Sequence, residues 1–393
     1  MSVSFPSERA ALPPGPVIVD VAGFELTPAE VARLQHPLVG GVILFARNFE
    51  SRAQLCALTA SIHAARHAPL MIAVDHEGGR VQRFRTDGFT HLPAMRTLGE
   101  VWNDDPLAAM RLATDVGVVL AAELRASGVD LSFTPVLDLD YGDSRVIRDR
   151  SFHRDPKAVA MLARALVQGL AQRGMSNCGK HFPGHGFVQA DSHVDIPVDD
   201  RCLEDVLGED AMPYVWLGDS VLQAVMPAHV IYPKVDAHPA GFSRVWVKDI
   251  LRGRLGYQGV VFSDDLTMEG ASVAGDILGR ATAALGAGCD MVLVCNRPDL
   301  ADDLLARLDI APDAALNTAS DGRPGAPSGM RSDASPDGAP AGNLPAGWNA
   351  ESAARVARLM PRFDAPDWDG LVTDSVYTRA RDRILALPRY NPA

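Results

Sequence analysis

The chain has 393 residues, 47% apolar and 22% charged, a core-forming composition long enough for one large α/β barrel or two ordinary domains. Its 37 Lys and Arg against 49 Asp and Glu leave a formal charge of −12, which argues against nucleic acid as a main partner but leaves room for a small anionic substrate held by a few local cations. No apolar run reaches the ~18–20 residues of a bilayer span, and Met1–Pro16 lacks the apolar stretch of a secretory signal. The five cysteines, Cys56, Cys178, Cys202, Cys289 and Cys295, are odd in number, irregularly spaced and free of any Cys-x-x-Cys. They read as reduced thiols of a cytoplasmic protein without a membrane partner.

An N-terminal extension, residues 1–16, precedes the first short apolar run, Val17–Val21. Further runs follow at Gly41–Phe45, Leu70–Val74, Leu131–Leu137, Asn177–His181, Ala224–Pro227, Val260–Ser263 and Met291–Cys295. Helical spacing fills most of the intervals, as in Pro106–Ser127, Pro156–Arg173 and Val273–Gly286, the last followed by Gly288 as a stop signal. Eight strands, apolar on both faces and alternating with helices, predict a single-domain (β/α)8 TIM barrel over residues 17–309. Residues 310–350 lose all periodicity and are rich in Ala, Pro, Gly, Ser and Asp, so a disordered or loosely attached insertion is expected there. Helical patterns resume at Glu351–Met360 and Val376–Leu387, so residues 351–393 are expected to pack C-terminal helices on the barrel exterior. A monomer is expected.

Chemically capable residues cluster where the apolar runs stop. Asp75 and Glu77 follow the third run, Asp138 and Asp140 the fourth, and Lys180 and His181 end the fifth. His229 follows the sixth, Asp264 and Asp265 the seventh, and Asn296 the eighth. A TIM barrel assembles its active site from such strand ends, whereas an open doubly wound sheet confines ligands to its switch point.

The densest segment, Lys180–Asp195, reads KHFPGHGFVQADSHVD. Two chemistries fit it. His181, His185, Asp191 and His193 are of zinc-ligand type, although Pro183 and the glycines prevent a helical histidine pair. Alternatively, Asp191 and His193, two apart, share a face in extended chain, and a carboxylate beside a histidine orients the ring and favours imidazolium for proton transfer. The seventh run ends in two adjacent carboxylates that point to opposite sides of a strand, and either Asp264 or Asp265 could instead cap a helix. Ala73–Phe84 carries Asp75, the pair Gly78-Gly79, which allows a tight turn, and Arg80 and Arg83, three apart as on a helical turn; it lacks the pattern of a nucleotide-phosphate loop. Arg145, Arg148 and Arg150 form a fourth cluster, with a solvated salt bridge as the plain alternative for each.

Taken together, VDHEGGRVQRF (74–84), RDRSF (148–152), KHFPGHG (180–186), DSHVD (191–195) and ILRGRLGYQGVVFSDDLTM (250–268) resemble glycoside hydrolase family 3, in particular its single-domain bacterial β-N-acetylglucosaminidases of peptidoglycan recycling. The resemblance covers roughly Val17 to Asn296. It implies Asp264 as nucleophile, His193 as proton donor and acceptor, Asp191 as the partner that orients and tunes His193, and Asp75, Arg83, Arg150, Lys180 and His181 as sugar-binding residues. It implies no metal and no organic cofactor, and a substrate with terminal β-linked GlcNAc in muropeptides that carry 1,6-anhydro-MurNAc. The implied chemistry is a retaining, two-step hydrolysis through a glycosyl-Asp intermediate. A β-N-acetylglucosaminide phosphorylase, a metal-dependent TIM-barrel hydrolase and a non-enzymatic sugar-binding barrel are the competing readings. His76 departs from the motif, where Gln is commoner, and the 310–350 segment is not a recognised family feature. The barrel is not followed by enough chain for the second α/β domain of many family 3 β-glucosidases.

Overall fold

Eight short strands form one parallel sheet in the computed structural model, which describes residues 15–66, 68–190, 192, 195–308 and 349–387. They are β1 (Val17–Asp20), β2 (Val39–Leu44), β3 (Met71–Val74), β4 (Leu131–Ser132), β5 (Cys178–Phe182), β6 (Ala224–Pro227), β7 (Val260–Asp265) and β8 (Met291–Val294). The order is β4-β3-β2-β1-β8-β7-β6-β5, and every hydrogen-bonded neighbour is parallel. The chain after β4 closes the circle. Cys178 N–H donates to Thr134 O (2.8 Å), Lys180 N–H to Pro135 O (3.1 Å) and Leu137 N–H to Lys180 O (2.6 Å). The expected strand Leu131–Leu137 is therefore regular only at its start. Pro135 has no N–H to give a ladder, and the remainder meets β5 through separate bonds. The result is a (β/α)8 barrel.

Strand alternation divides the apolar residues into two cores. Ile18, Ile43, Met71, Ala73, Cys178, Ala224, Val260, Phe262, Met291 and Leu293 fill the barrel, and Phe133 meets Phe262 edge-to-face across it at 5.2 Å. Their neighbours Val17, Val19, Val42, Leu44, Ile72, Val74, Val261, Val292 and Val294 face the helices. Burial on both faces explains why the strands read as continuous apolar runs.

The long helices begin and end where local chemistry dictates. Asp105 caps Pro106–Ala126 by accepting from Ala108 N–H, with proline at the first position, and Asp155 caps Pro156–Gln172 through Lys157 N–H. The expected helix Val273–Gly286 instead starts at Ile277, because Gly275 adopts φ 85° and Asp276 caps the new start by accepting from Gly279 N–H. It stops at Gly288, whose φ of 117° suits a residue without Cβ.

The C-terminal helices take different places. Ser375–Leu385 lies on Pro106–Ala126, where Arg383 pairs with Asp115 through two 2.5 Å bonds and Tyr377 Oη donates to Glu123 (2.9 Å). Ala350–Ala357 lies under the barrel rather than in its outer ring. Val356 and Leu359 join the interior core, and Ser352 Oγ (2.6 Å) and Arg355 (2.6 Å) bond the buried Asp290 just before β8. This helix seals the N-terminal end and leaves the C-terminal end as the open mouth. The expected insertion lies outside the described residues apart from Asn349 and Ala350, and so do residues 1–14 of the N-terminal extension. Among the described residues no helix is long and apolar enough to cross a membrane.

Candidate active site

The parity that fills the barrel also aims the polar strand ends. On β3 the inward series Met71, Ala73 continues to Asp75; on β5, Cys178 continues to Lys180; on β7, Val260 and Phe262 continue to Asp264. These three side chains meet in a cavity of about 340 Å³ at the C-terminal mouth, together with Glu77, Arg83, Arg150, His181, His185 and Ser192. Asp264 is half-buried there.

Asp265, of opposite parity, is held at the edge of this mouth. Its Oδ1 accepts from Thr267 N–H (3.0 Å) and Cys295 N–H (3.2 Å), and its Oδ2 from Thr267 Oγ (2.8 Å). It thus caps a turn and ties β7 to the end of β8. Burial pushes its carboxyl up to about 6 against these bonds, with the charge of Asp264 adding to the rise. A carboxyl raised in the folded state contributes stability below its unfolded value near 3.8 that is lost as pH rises through about 6. Asp265→Asn should therefore flatten the stability profile between about pH 4 and 6 in urea titrations, and a variant profile still falling as in the parent would refute this.

The floor of the cavity is a buried ion network. Lys180 Nζ donates to Asp75 Oδ1 (2.7 Å) and lies 2.8 Å from Glu77 Oε1. Arg150 clasps Glu77 with two 2.8 Å bonds, and Arg83 reaches Asp75 at 3.5 Å. Lys180 and Glu77 are only 2% and 1% exposed, so each charge depends on its partners rather than on water. Burial alone would raise the Glu77 carboxyl, but Arg150 and Lys180 overcome it and hold the group well below the usual carboxylate range. Burial likewise opposes ionisation of Asp75, and Lys180 and Arg83 outweigh it. Lys180 is raised because Asp75 and Glu77 outweigh its desolvation. Lys180, Arg150, Asp75 and Glu77 thereby favour one another's charged forms.

His181 is oriented from behind. Asp138, buried, accepts from His181 Nδ1 (2.7 Å), from its backbone N–H and from His185 N–H (2.6 Å). That leaves Nε2 of His181 as the second functional nitrogen of a ring at the cavity wall. His185 stands edge-on to His181 at 6.0 Å and bonds Ser192 Oγ through Nε2 (3.1 Å), while burial pushes its imidazole down to about 4. Of the expected metal-ligand set, these two rings are thus engaged by Asp138 and Ser192. Among the described residues no group of three His, Cys, Asp or Glu side chains is arranged to hold a metal ion.

Asp191 and His193 lie outside the described residues. Ser192 between them is buried, lines the cavity, and accepts at its carbonyl from Gly270 N–H (2.9 Å) on the loop after β7.

The structure therefore brings Asp75, Arg83, Arg150, Lys180, His181 and Asp264 to one cavity. The sequence marks Glu77 and Asp138 as strand-end acids without giving them a part. Their signal is position alone, since pairing across 73 and 43 residues has no local pattern. Arg80 and Arg83 do not follow a helical turn. Gly78 and Val81 form an antiparallel bridge, with Gly78 at φ 110° and a Cβ there only 2.4 Å from Pro93 O. His76, the departure from the motif, is buried against Phe84 and Phe89, and burial pushes it down to about 3. It is a neutral core residue.

Comparison with known proteins agrees with the fold and shows the family. The glycosyl hydrolase family 3 N-terminal domain matches residues 18–319. A beta-hexosaminidase from Bordetella avium (strain 197N) is 68% identical over 370 residues, covering 94% of this chain and 95% of that protein. One from Aromatoleum aromaticum is 62% identical over 375 residues, 95% of each. The crystal structure of NagZ from Neisseria gonorrhoeae in complex with N-trifluoroacetyl-D-glucosamine superposes with a TM-score of 0.81 at 47% identity, covering 95% of this chain and 98% of that one. With a family match across nearly the whole barrel and relatives this similar along almost their full length, the chain belongs to glycosyl hydrolase family 3 and groups with its β-hexosaminidases.

Proposed function

We propose that the enzyme is a retaining exo-β-N-acetylglucosaminidase that removes terminal β-linked GlcNAc from muropeptides carrying 1,6-anhydro-MurNAc, as a monomer in the cytoplasm during cell-wall recycling. The observation that carries the reading is Asp264 in the mouth of a barrel beside the buried network of Lys180, Asp75, Glu77, Arg150 and Arg83. That network suits the hydroxyl groups of one sugar, and the N-acylglucosamine bound by the Neisseria protein is a sugar of the expected type.

In the first step a carboxylate oxygen of Asp264 attacks the anomeric carbon. The bond to the glycosidic oxygen breaks, and His193 as imidazolium delivers its proton to that oxygen. In the second step His193 takes a proton from water, the water oxygen attacks the anomeric carbon, and the ester to Asp264 breaks. Asp191 orients His193 and favours its charged form. Asp75, Arg83, Arg150, Lys180 and His181 hold the sugar so that binding energy becomes orientation. No resident metal or organic cofactor takes part in these steps.

Turnover of a nitrophenyl β-GlcNAc against the β-glucoside and β-GalNAc analogues tests the assignment; equal rates for all three would overturn GlcNAc specificity. The cation-rich cavity also favours one rival, phosphorolysis, and GlcNAc-1-phosphate among products formed in phosphate buffer would establish it instead. His193→Ala should slow glycosylation by about 10²-fold or more for alkyl or sugar leaving groups, and by far less for activated aryl groups that need little protonation. Equal loss across leaving groups would remove His193 from the role of acid.

A further inference from the structure

The cavity's cations are unevenly paired. Lys180, Arg150 and Arg83 are each set against Asp75 or Glu77 at the floor, and Arg80 donates to Asp149 (3.1 Å) and to Val146 O. Arg145 also lines the cavity, is exposed, and has no ion-pair or hydrogen-bond partner among the described residues. Its backbone is nevertheless firmly held. Ser144, Val146 and Ile147 are buried, Ile147 N–H donates to Ser144 Oγ (3.2 Å), and Val146 and Ile147 pack on Val136 of the segment that closes the barrel. A long cation is thus displayed from a fixed base at the rim of the site.

We propose that Arg145 is a specificity-determining residue that recognises a carboxylate on the leaving group. The inference rests on the exo-glycosidase reading above. An enzyme that takes a chain end inserts the terminal sugar first, toward the buried network, so what remains at the rim is the leaving group. The protein's charge of −12 repels anions in general, so an anionic leaving group needs a local cation to be accepted. An exposed guanidinium with five donors and a planar fork matches a carboxylate, and its exposure limits the gain to about three- to five-fold at low salt.

The test compares two β-GlcNAc disaccharides that differ at one group: a lactyl ether on the second sugar as the free acid, or as its methyl amide. The ratio of kcat/KM for acid over amide should be about three to five for the wild type at low ionic strength and should approach one at high salt. Arg145→Ala should bring the ratio to about one at any salt, and Arg145→Lys should keep part of it. A wild-type ratio of one, or an Arg145→Ala ratio equal to the wild type, overturns the proposal. If the wild type hydrolyses neither disaccharide nor a nitrophenyl β-GlcNAc, the glycosidase reading itself fails; hydrolysis of both disaccharides at equal rates fails only the role of Arg145.

Discussion

Asp264→Ala should lower kcat for a nitrophenyl β-GlcNAc by about 10³-fold or more, a loss of roughly 4 kcal/mol of transition-state stabilisation. The neighbouring carboxylate cannot replace it. Asp265 is committed to Thr267 and Cys295, and strand parity turns it away from the barrel axis that Val260, Phe262 and Asp264 share. Removing the Asp264 side chain opens space on the face of the sugar opposite the leaving group, which gives a second readout. Added azide should enter there, attack the anomeric carbon as the nitrophenolate departs, and give the α-glycosyl azide at a raised rate. Nuclear magnetic resonance of the product reads the anomeric configuration. A variant within tenfold of wild-type kcat, or one whose azide product is β, would show that Asp264 is not the nucleophile.

Glu77→Gln should produce the largest loss of stability of any single conservative change in the site. The substitution keeps shape and one acceptor oxygen, but it takes from Arg150 its bidentate carboxylate partner and from Lys180 one of its two, leaving the more distant Asp138 and Asp75 to balance Arg150. Breaking a buried pair in this way typically costs about 3–5 kcal/mol, because the remaining cations lose their nearest counter-charge and cannot turn to water instead. Urea unfolding followed by circular dichroism should show the midpoint fall, and kcat/KM should fall with it as the two cations lose their positions. The pH dependence has a definite sign. Glu77 is lowered in the folded protein from an ordinary value near 4.5, so its contribution is complete above that pH and is lost only as pH falls toward the depressed folded value. The wild type should therefore shed this stability in acid, and Glu77→Gln should not. An unchanged midpoint at pH 7 would mean that the network is not under the electrostatic load its burial implies.

Legibility from sequence differs from element to element. The apolar run Ala224–Pro227 coincides with its strand to the residue, and the other runs agree to within one or two positions except at β4, because a strand buried on both faces is apolar throughout and stands out from its flanks. The run at β4 overstates the strand, since apolarity does not reveal that Pro135 interrupts the ladder while barrel closure goes on through other bonds. The helical pattern after β7 begins four residues before the helix does. Its apolar residues run on through a 3₁₀ segment, Glu269–Ala274, and only the local geometry of Gly275 and Asp276 separates the two.

Composition, periodicity and position are local properties of the chain, and they suffice for the class of fold, the end of the barrel that carries the chemistry, and the residues from which a site is drawn. The choice between Asp264 and Asp265 is not local. Both end the same strand, and the outcome depends on which parity of β7 faces the barrel interior, which is set by packing against Phe133 and the other inward residues. The membership of Glu77 and Asp138 in the site is likewise a property of the folded chain alone. Their partners are Arg150, Lys180 and His181, distant in sequence and brought together because closing eight strands into a ring points all their C-terminal ends at one volume.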